Sequence, residues 1–477
     1  MLIPFFLALT PLVATHLPNV IIIMTDEHNF RTLGCYRALL SDNQALQWGE
    51  GCVVQTPNID FLADNGVLCS NVYASNPVSG PSRSSFMTGC YPQATGVEFN
   101  NSALNAGMTT FADILSQNSY RTGYFGKWHL DGDSKPGWSP SKKHGWEDNL
   151  YMYNRGHWKK LGIVDGTPEV LSVDLNGRLS ESVLSGADEQ SFTTDFLTDR
   201  AIDFIDRNKD NRFCCFISIP DPHGKNIVRP PYDTMYADMD YQKPSSAFTD
   251  CTGWPSWAQP SEKTILEDRQ MGIYFGMVKC IDDNIGKLLD YLRLNGLDEN
   301  TMIIFTSDHG DLLGEHGRDN KSVPFEASAK IPYIWYYPSS LPSGRVVSTA
   351  MSNVDFFPTL MGVLGIRQRV HCHGKDFSRL LKGKRRDSYN VAVSKNDVWI
   401  MATDGLFKLV LTAQEGASPV LFDLQKDPDE TVNVFNDASY SAVKRKLASA
   451  MKSYCTSTKE PFWEGALIPA QIQDILR

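Results

Sequence analysis

The sequence predicts an α/β protein: a large mixed, mostly parallel sheet sandwiched by helices, followed by a smaller α+β part on an antiparallel sheet. Three observations carry this. Apolar runs at residues 19–24, 213–219 and 301–306 lack alternation, as strands buried on both faces do. Helical periods at residues 191–208 and 262–294 lie between them. Beyond Leu364 the runs become short and alternating, and since 477 residues exceed one ordinary core, a division near residue 366 is expected.

Taken in order, residues 2–14 have the look of a secretory h-region with small Ala14 near its end, so a signal peptide over 1–17 and a periplasmic or secreted protein are expected. The basic n-region is missing, since the first Lys or Arg is Arg31. The segment is too short to span a bilayer, and no later run is long enough. Run 19–24 ends in Thr25-Asp26-Glu27-His28. Thr56, as N-cap, and Pro57 open a helix that stops near Gly66. Run 67–74 leads into Ser79, Gly80 and Pro81 turn the backbone, and a helical segment over 82–87 carries Arg83. A helix over 110–118 precedes a strand over 121–125, which leads to Lys127, Trp128 and His129. Run 213–219 empties into Asp221 and His223, and run 301–306 into Ser307-Asp308-His309-Gly310. Runs 391–394, 398–402, 407–411 and 420–424, split by turn signals, read as the antiparallel sheet, closed by a helix over 439–454.

Five apolar runs thus deliver Asp, Lys, His or Ser just past their ends, where open α/β sheets bind ligands. Loop polarity alone does not explain the bias towards Asp and His. Ser79 stands at a helix start, where backbone N–H groups attract anions, and Arg83 one turn on could fork onto tetrahedral oxygens, so sulfate or phosphate is the expected guest. The plainer alternative makes Ser79 a turn residue. Asp26-Glu27 and Asp308-His309 suggest a divalent cation held by carboxylates from distant parts of the chain, unless Asp26 merely caps a helix. The net charge of -10 argues against nucleic acid or an acidic membrane as partner, yet leaves room for an anionic substrate in a locally positive pocket. The ten cysteines show no CxxC spacing, and His371-Cys372-His373 cannot converge on one ion and reads as a loop.

The stretch Ser79-Gly80-Pro81-Ser82-Arg83 with Thr88-Gly89 resembles the signature of the formylglycine-dependent (type I) sulfatases of the alkaline phosphatase superfamily, in its Ser-type form. Ser307 to Gly317 and the segment Leu421-Phe422-Asp423-Leu424 with Asp427-Pro428, Glu430 and Asn433 resemble further motifs of that family, the last a structural one. The resemblance implies an alkaline phosphatase-like fold, a catalytic domain over 18–365 and a C-terminal subdomain over 366–477. It implies that a maturation enzyme oxidises Ser79 to formylglycine, whose hydrate attacks sulfur, releases the alcohol and then eliminates sulfate. By resemblance the metal site is Asp26, Glu27, Ser79, Asp308 and His309, holding one cation, calcium with magnesium as the alternative. Glu27 departs from the commoner Asp. Arg83 and Lys127 would hold the aldehyde hydrate and one sulfate oxygen, His129 would deprotonate the remaining hydroxyl as the sulfated hemiacetal collapses, and His223 and Lys321 would bind the ester and assist the leaving oxygen. Asp311, Glu315 and His316 are expected to support the site rather than react.

Residues 131–190 depart from the family pattern. They bring Trp138, Trp146, Tyr151, Tyr153 and Trp158 beside Lys142, Lys143, Arg155, Lys159 and Lys160, which would suit a sulfated glycan as substrate, the alternative being an ordinary surface loop. Two other readings stay open: a phosphoester or phosphonate hydrolase on the same scaffold, and a non-catalytic glycan-binding homologue with unmodified Ser79.

Overall fold

The computed structural model describes residues 17–261 and 267–477, so the leader expected at 1–17 falls almost wholly outside the described residues, as does the expected start of the long helix. Eight strands form the main sheet, in the order Arg345–Val347, Val67–Cys69, Tyr333–Tyr336, Thr301–Ser307, Asn19–Asp26, Phe213–Pro222, Arg121–Lys127, Met152–Tyr153. Tyr333–Tyr336 runs antiparallel to both neighbours and every other pair is parallel. At the centre Ile22 lies opposite Phe216 and Ile304. Val20, Ile22 and Met24 enter one core and Ile21 and Ile23 the other, which is why the run shows no alternation. Phe86, Phe111 and Phe356 bring three helices onto the first face, and Phe196 and Leu288 bring Thr193–Asn208 and Asp268–Leu294 onto the second.

Because the central strands are parallel, their carboxyl ends share one edge, and Asp26, Lys127 and Asp308 meet there. Three local expectations change. Run 67–74 divides: Val67–Cys69 joins the main sheet, while Val72–Tyr73 pairs with Met351–Ser352 in a separate two-stranded sheet. The helix carrying Arg83 begins at Ser79, not beyond Pro81, and ends on Gly89 in the left-handed region at φ 68°. Pro81 falls in the first turn, where its missing N–H costs no helical bond. Thr56 does not cap the helix Pro57–Asp64; Asp282 does so from outside, accepting from the N–H groups of Asn58 and Ile59 at 3.0 and 2.9 Å.

The C-terminal sheet has the order Ala392–Lys395, Trp399–Thr403, Phe407–Thr412, Val420–Asp423, antiparallel throughout. Ile400, Leu409 and Leu421 pack under the helices Ser441–Thr458 and Leu467–Leu476, whereas Met401, Val410 and Phe422 meet Tyr73 and Phe325 of the main body. One sheet therefore serves two cores. None of the ten cysteines is joined in a disulfide, and no helix among the described residues is long and apolar enough to cross a membrane.

Candidate active site

The first turn of the helix Ser79–Thr88 aims Ser79 at the carboxyl edge of the sheet. Its hydroxyl lies 3.0 Å from Nε2 of His309. The other nitrogen of His309, Nδ1, is 3.0 Å from the Gly310 carbonyl, which fixes the proton there and leaves Nε2 a lone pair. Burial lowers the pKa of His309 and keeps it neutral, although Asp308 pulls the other way. Ligand atoms of Asp26, Asp308 and His309 all lie within 4.8 Å of one another.

Arg83 is fully buried beneath this triad. Nε donates to Asp308 at 2.8 Å, Nη2 to Asp26 at 3.0 Å, and Nη1 to the Lys127 carbonyl and the Ser218 hydroxyl at 2.8 and 2.7 Å. Four of its five N–H groups are thus committed. The expected fork onto an oxyanion is not available, and Arg83 instead clamps two carboxylates. Lys127 Nζ also reaches Asp26 Oδ2, at 2.5 Å. Burial alone would raise the Asp26 carboxyl, but Lys127 and Arg83 outweigh it and hold it well below the usual carboxylate range.

On the open side, Lys321 Nζ lies 2.9 Å from Glu27 Oε2 and 2.6 Å from His223 Nε2. Burial would lower the lysine, yet Glu27 and Asp26 prevail and raise it, so it stays an ammonium. Glu27 Oε2 is engaged by Lys321 and His223, and the residue stands outside the converging triad. His129 turns at φ 63°, its N–H donates to the Asn154 carbonyl at 2.8 Å, and Nδ1 has no hydrogen-bond partner among the described residues. Burial first, then Lys127 and Arg83, hold His129 well below the ordinary histidine range. As expected, Glu315 and His316 support the loop, pairing with Arg31 at 3.2 Å and stacking on Phe325.

Sequence reasoning missed His157. Its Nε2 accepts from Lys127 Nζ at 2.8 Å, and its backbone N–H and Nδ1 face Glu181 Oε2 at 3.0 and 3.2 Å. No motif or periodicity marks this histidine, which arrives on an irregular loop. The glycan surface expected over 131–190 is overturned for its central members. Trp146, Tyr153 and Trp158 are core residues, and Lys159, fully buried, donates to Asp221 at 2.7 Å. Arg155 is paired with Asp133 at 2.7 Å.

A protein-family model described as Sulfatase matches residues 18–366, and one described as N-sulphoglucosamine sulphohydrolase, C-terminal, matches 314–457. The chain belongs to the sulfatase family. Sulfatases are sulfuric ester hydrolases, and the enzyme class expected from the motifs holds. An N-acetylglucosamine-6-O-sulfatase of Bacteroides thetaiotaomicron is 26% identical to this sulfatase, aligned over 92% of this chain and 86% of its own. A structure solved in complex with D-glucosamine-2-N,6-O-disulfate superposes with a TM-score of 0.76 at 24% identity, covering 93% of this chain and 98% of that one. The phosphonate monoester hydrolase of Agrobacterium radiobacter superposes at 0.73 and 24% identity, covering 92% and 96%. At such identities the two superpositions establish the alkaline phosphatase-like fold alone.

Proposed function

We propose that this sulfatase hydrolyses sulfate monoesters of carbohydrates at Ser79, after a maturation enzyme has converted Ser79 to formylglycine, and with one divalent cation bound. The observation that carries the reading is the placement of the Ser79 hydroxyl 3.0 Å from His309, beside Asp26 and Asp308. The residues fit a cation: Asp26 Oδ1 is buried without a hydrogen-bond partner among the described residues. Charge supports it too. Asp26, Glu27 and Asp308 face Arg83, Lys127 and Lys321, a balanced set that gains attraction for an anionic ester once a divalent ion joins it.

Asp26, Asp308 and His309 would hold the ion, calcium or magnesium, with Glu27 and the Ser79 side chain beside them. It would neutralise ester charge and acidify the nucleophilic oxygen. Formylglycine supplies a geminal diol, which unlike a serine can shed sulfate by elimination. Arg83 orients Asp26 and Asp308 rather than touching the ester. Lys127 places a positive charge at one sulfate oxygen. His129, neutral, accepts a proton at Nδ1. Lys321 and His223 stand where negative charge grows on the leaving oxygen. Residues 18–365 form the catalytic domain in this reading and 366–477 the subdomain beside its mouth, and the leader would export the protein to the periplasm or the medium.

The test is peptide mass spectrometry across Ser79 on protein from its native host, with hydrazide capture, alongside sulfate release from sulfated hexosamines and polysaccharides. An aldehyde with sulfate release supports the reading. Plain serine in native material that releases no sulfate overturns it in favour of binding, and faster turnover of a phosphonate monoester favours the second hydrolase.

A further inference from the structure

The chain as a whole is acidic, with a net charge of -10, yet the stretch 375–387 carries Lys375, Arg379, Lys382, Lys384, Arg385 and Arg386 against two carboxylates, Asp376 and Asp387. The fold fixes the course of this stretch and turns its charges outward. Leu380 and Leu381 anchor the short helix Ser378–Leu381 in the main core. Gly383, at φ 67°, then bends the chain back, so that the N–H of Lys384 donates to the Arg379 carbonyl at 2.9 Å. Arg345 donates to the Arg385 carbonyl at 3.1 Å, and the Asp387 carboxylate is occupied by the Thr349 hydroxyl at 2.8 Å. Arg379, Lys384, Arg385 and Arg386 are exposed, and no ion pair joins any of the four to a carboxylate among the described residues.

The place of this turn in the fold decides what it can meet. Arg345–Val347 lies parallel to Val67–Cys69, and both run in the direction of Thr301–Ser307, since the strand between is antiparallel to each neighbour. Arg345, which opens its strand, therefore stands at the amino edge of the sheet, whereas Asp308 follows a strand and marks the carboxyl edge. A polymeric substrate lying on the turn would have to round the molecule to bring an ester to Ser79. A flat anionic surface meets the turn directly and leaves the reaction centre facing away. Tyr389, three residues beyond Arg386, is 52% exposed, with Lys446 Nζ 3.3 Å from its ring centroid. Such an amphipathic ring suits the depth of lipid headgroups.

We propose that the basic turn at residues 379–386 docks the protein on a bilayer containing anionic phospholipid. The negative sum of the chain does not oppose this contact, because at physiological salt a charge is felt over only about 8 Å, and a surface touching the turn meets its cations first. Each Lys or Arg near such a surface strengthens binding by about fivefold. The proposal is independent of the chemistry at Ser79.

Co-sedimentation of the intact protein with vesicles tests it, comparing phosphatidylcholine alone with the same lipid mixed with phosphatidylglycerol. Binding is expected to the mixed vesicles and not to the neutral ones, and high salt should release it. The triple variant Lys384→Ala, Arg385→Ala, Arg386→Ala is expected to bind the mixed vesicles about 100-fold more weakly, with an unchanged thermal unfolding curve. A variant losing Lys142 and Lys143, exposed cations elsewhere, should bind as the wild type does. Equal binding to neutral vesicles, no binding to the mixed ones, or a triple variant that still binds them in full overturns the proposal. So does retention on a sulfated polymer that outcompetes the mixed vesicles and is lost in the triple variant, since the turn would then serve a polymer.

Discussion

The imidazoles of His157 and His223 stack, with ring centroids 3.7 Å apart and planes 14° from parallel. Each ring accepts from a different lysine, His157 from Lys127 at 2.8 Å and His223 from Lys321 at 2.6 Å. Burial, His223 and Lys127 all hold His157 well below the ordinary histidine range, so the ring remains an acceptor. One stack thereby sets the spacing of two ammonium groups. His157→Ala is expected to lower kcat for sulfate release by about 10–100-fold, the range for losing a residue that orients a ligand-bearing side chain. Steady-state kinetics within twofold of wild type would show that Lys127 and Lys321 need no such spacer.

Arg83 neutralises Asp26 and Asp308 from below. In Arg83→Met the carboxylates lose that partner, and in chelator the variant is expected to lose about 3–5 kcal/mol of stability. Calcium should then recover more of the loss than it adds to the wild type, because binding to the folded state alone stabilises by mass action. Thermal unfolding with and without calcium reads both effects. A calcium shift smaller than that of wild type would mean that the ion sits elsewhere.

Asp282 gives a pH dependence remote from the site. Burial raises its pKa from 3.8 to about 6, against the pull of the Ile59 N–H, Lys279 and Asn58. A carboxyl whose folded pKa lies above its unfolded one contributes stability that is fully present below pH 3.8 and is lost as pH rises through about 6. The shift corresponds to on the order of 3 kcal/mol. Asp282→Asn keeps an acceptor for the two helix N–H groups and removes the titration. Denaturant midpoints between pH 4 and 7 should therefore fall less steeply for the variant than for wild type, and parallel curves would refute the assignment.

Lys408, on a strand of the C-terminal sheet, is fully buried with Glu326 and Glu430, 2.7 Å from each. The Glu430 carboxylate in turn accepts from the Glu326 N–H at 2.6 Å, and Lys408 donates to the Pro324 carbonyl at 2.8 Å. This knot fastens the stretch that follows Lys321. Lys408→Met is expected to cost about 3–5 kcal/mol, since it leaves the buried Glu430 without its cation and Glu326 with Lys330 alone. The triple variant Lys408→Met, Glu326→Gln, Glu430→Gln should regain much of that loss. Equal denaturant midpoints for Lys408→Met and wild type would contradict the account.

Lys159 separates a structural role from a binding one. Lys159→Ala leaves Asp221 buried without its ion pair, and the expected loss is about 3–5 kcal/mol of stability. Equilibrium unfolding measures it. A fully stable variant with altered preference among sulfated glycans would restore the binding role that its burial removes.

What could be read from the sequence follows a physical divide. Asp26, Lys127, Asp308 and His309 sit at or just past strand ends, and strands buried on both faces announce themselves as unbroken apolar runs. Ser79 and Arg83 share one short helix, so their relationship is local. His157 and Glu181 come from loop structure without a period, and nothing in their spacing ties them to Lys127. Lys159 misleads for a related reason: its carboxylate partner lies 62 residues away, and charge in a sequence reads as surface until its partner is seen. The helix start at Ser79 escaped because Gly80 and Pro81 break helices in the interior but are admitted in a first turn.

The burial of Ser79 also sets an order of events. The side chain is 1% exposed, its hydroxyl partner His309 lies 230 residues later, and the Ser75 carbonyl accepts from the N–H of Lys395. The partners that fix residue 79 and the segment before it are thus synthesised 230 or more residues later. Until those residues emerge, the segment is an accessible piece of nascent chain, and once they dock its backbone is held within the fold. On the proposed reading, a maturation enzyme would work against that clock, and a variant that folds faster or gains stability would leave it less time. Fully folded protein made without the modifying enzyme is then expected to stay serine when the enzyme is supplied afterwards.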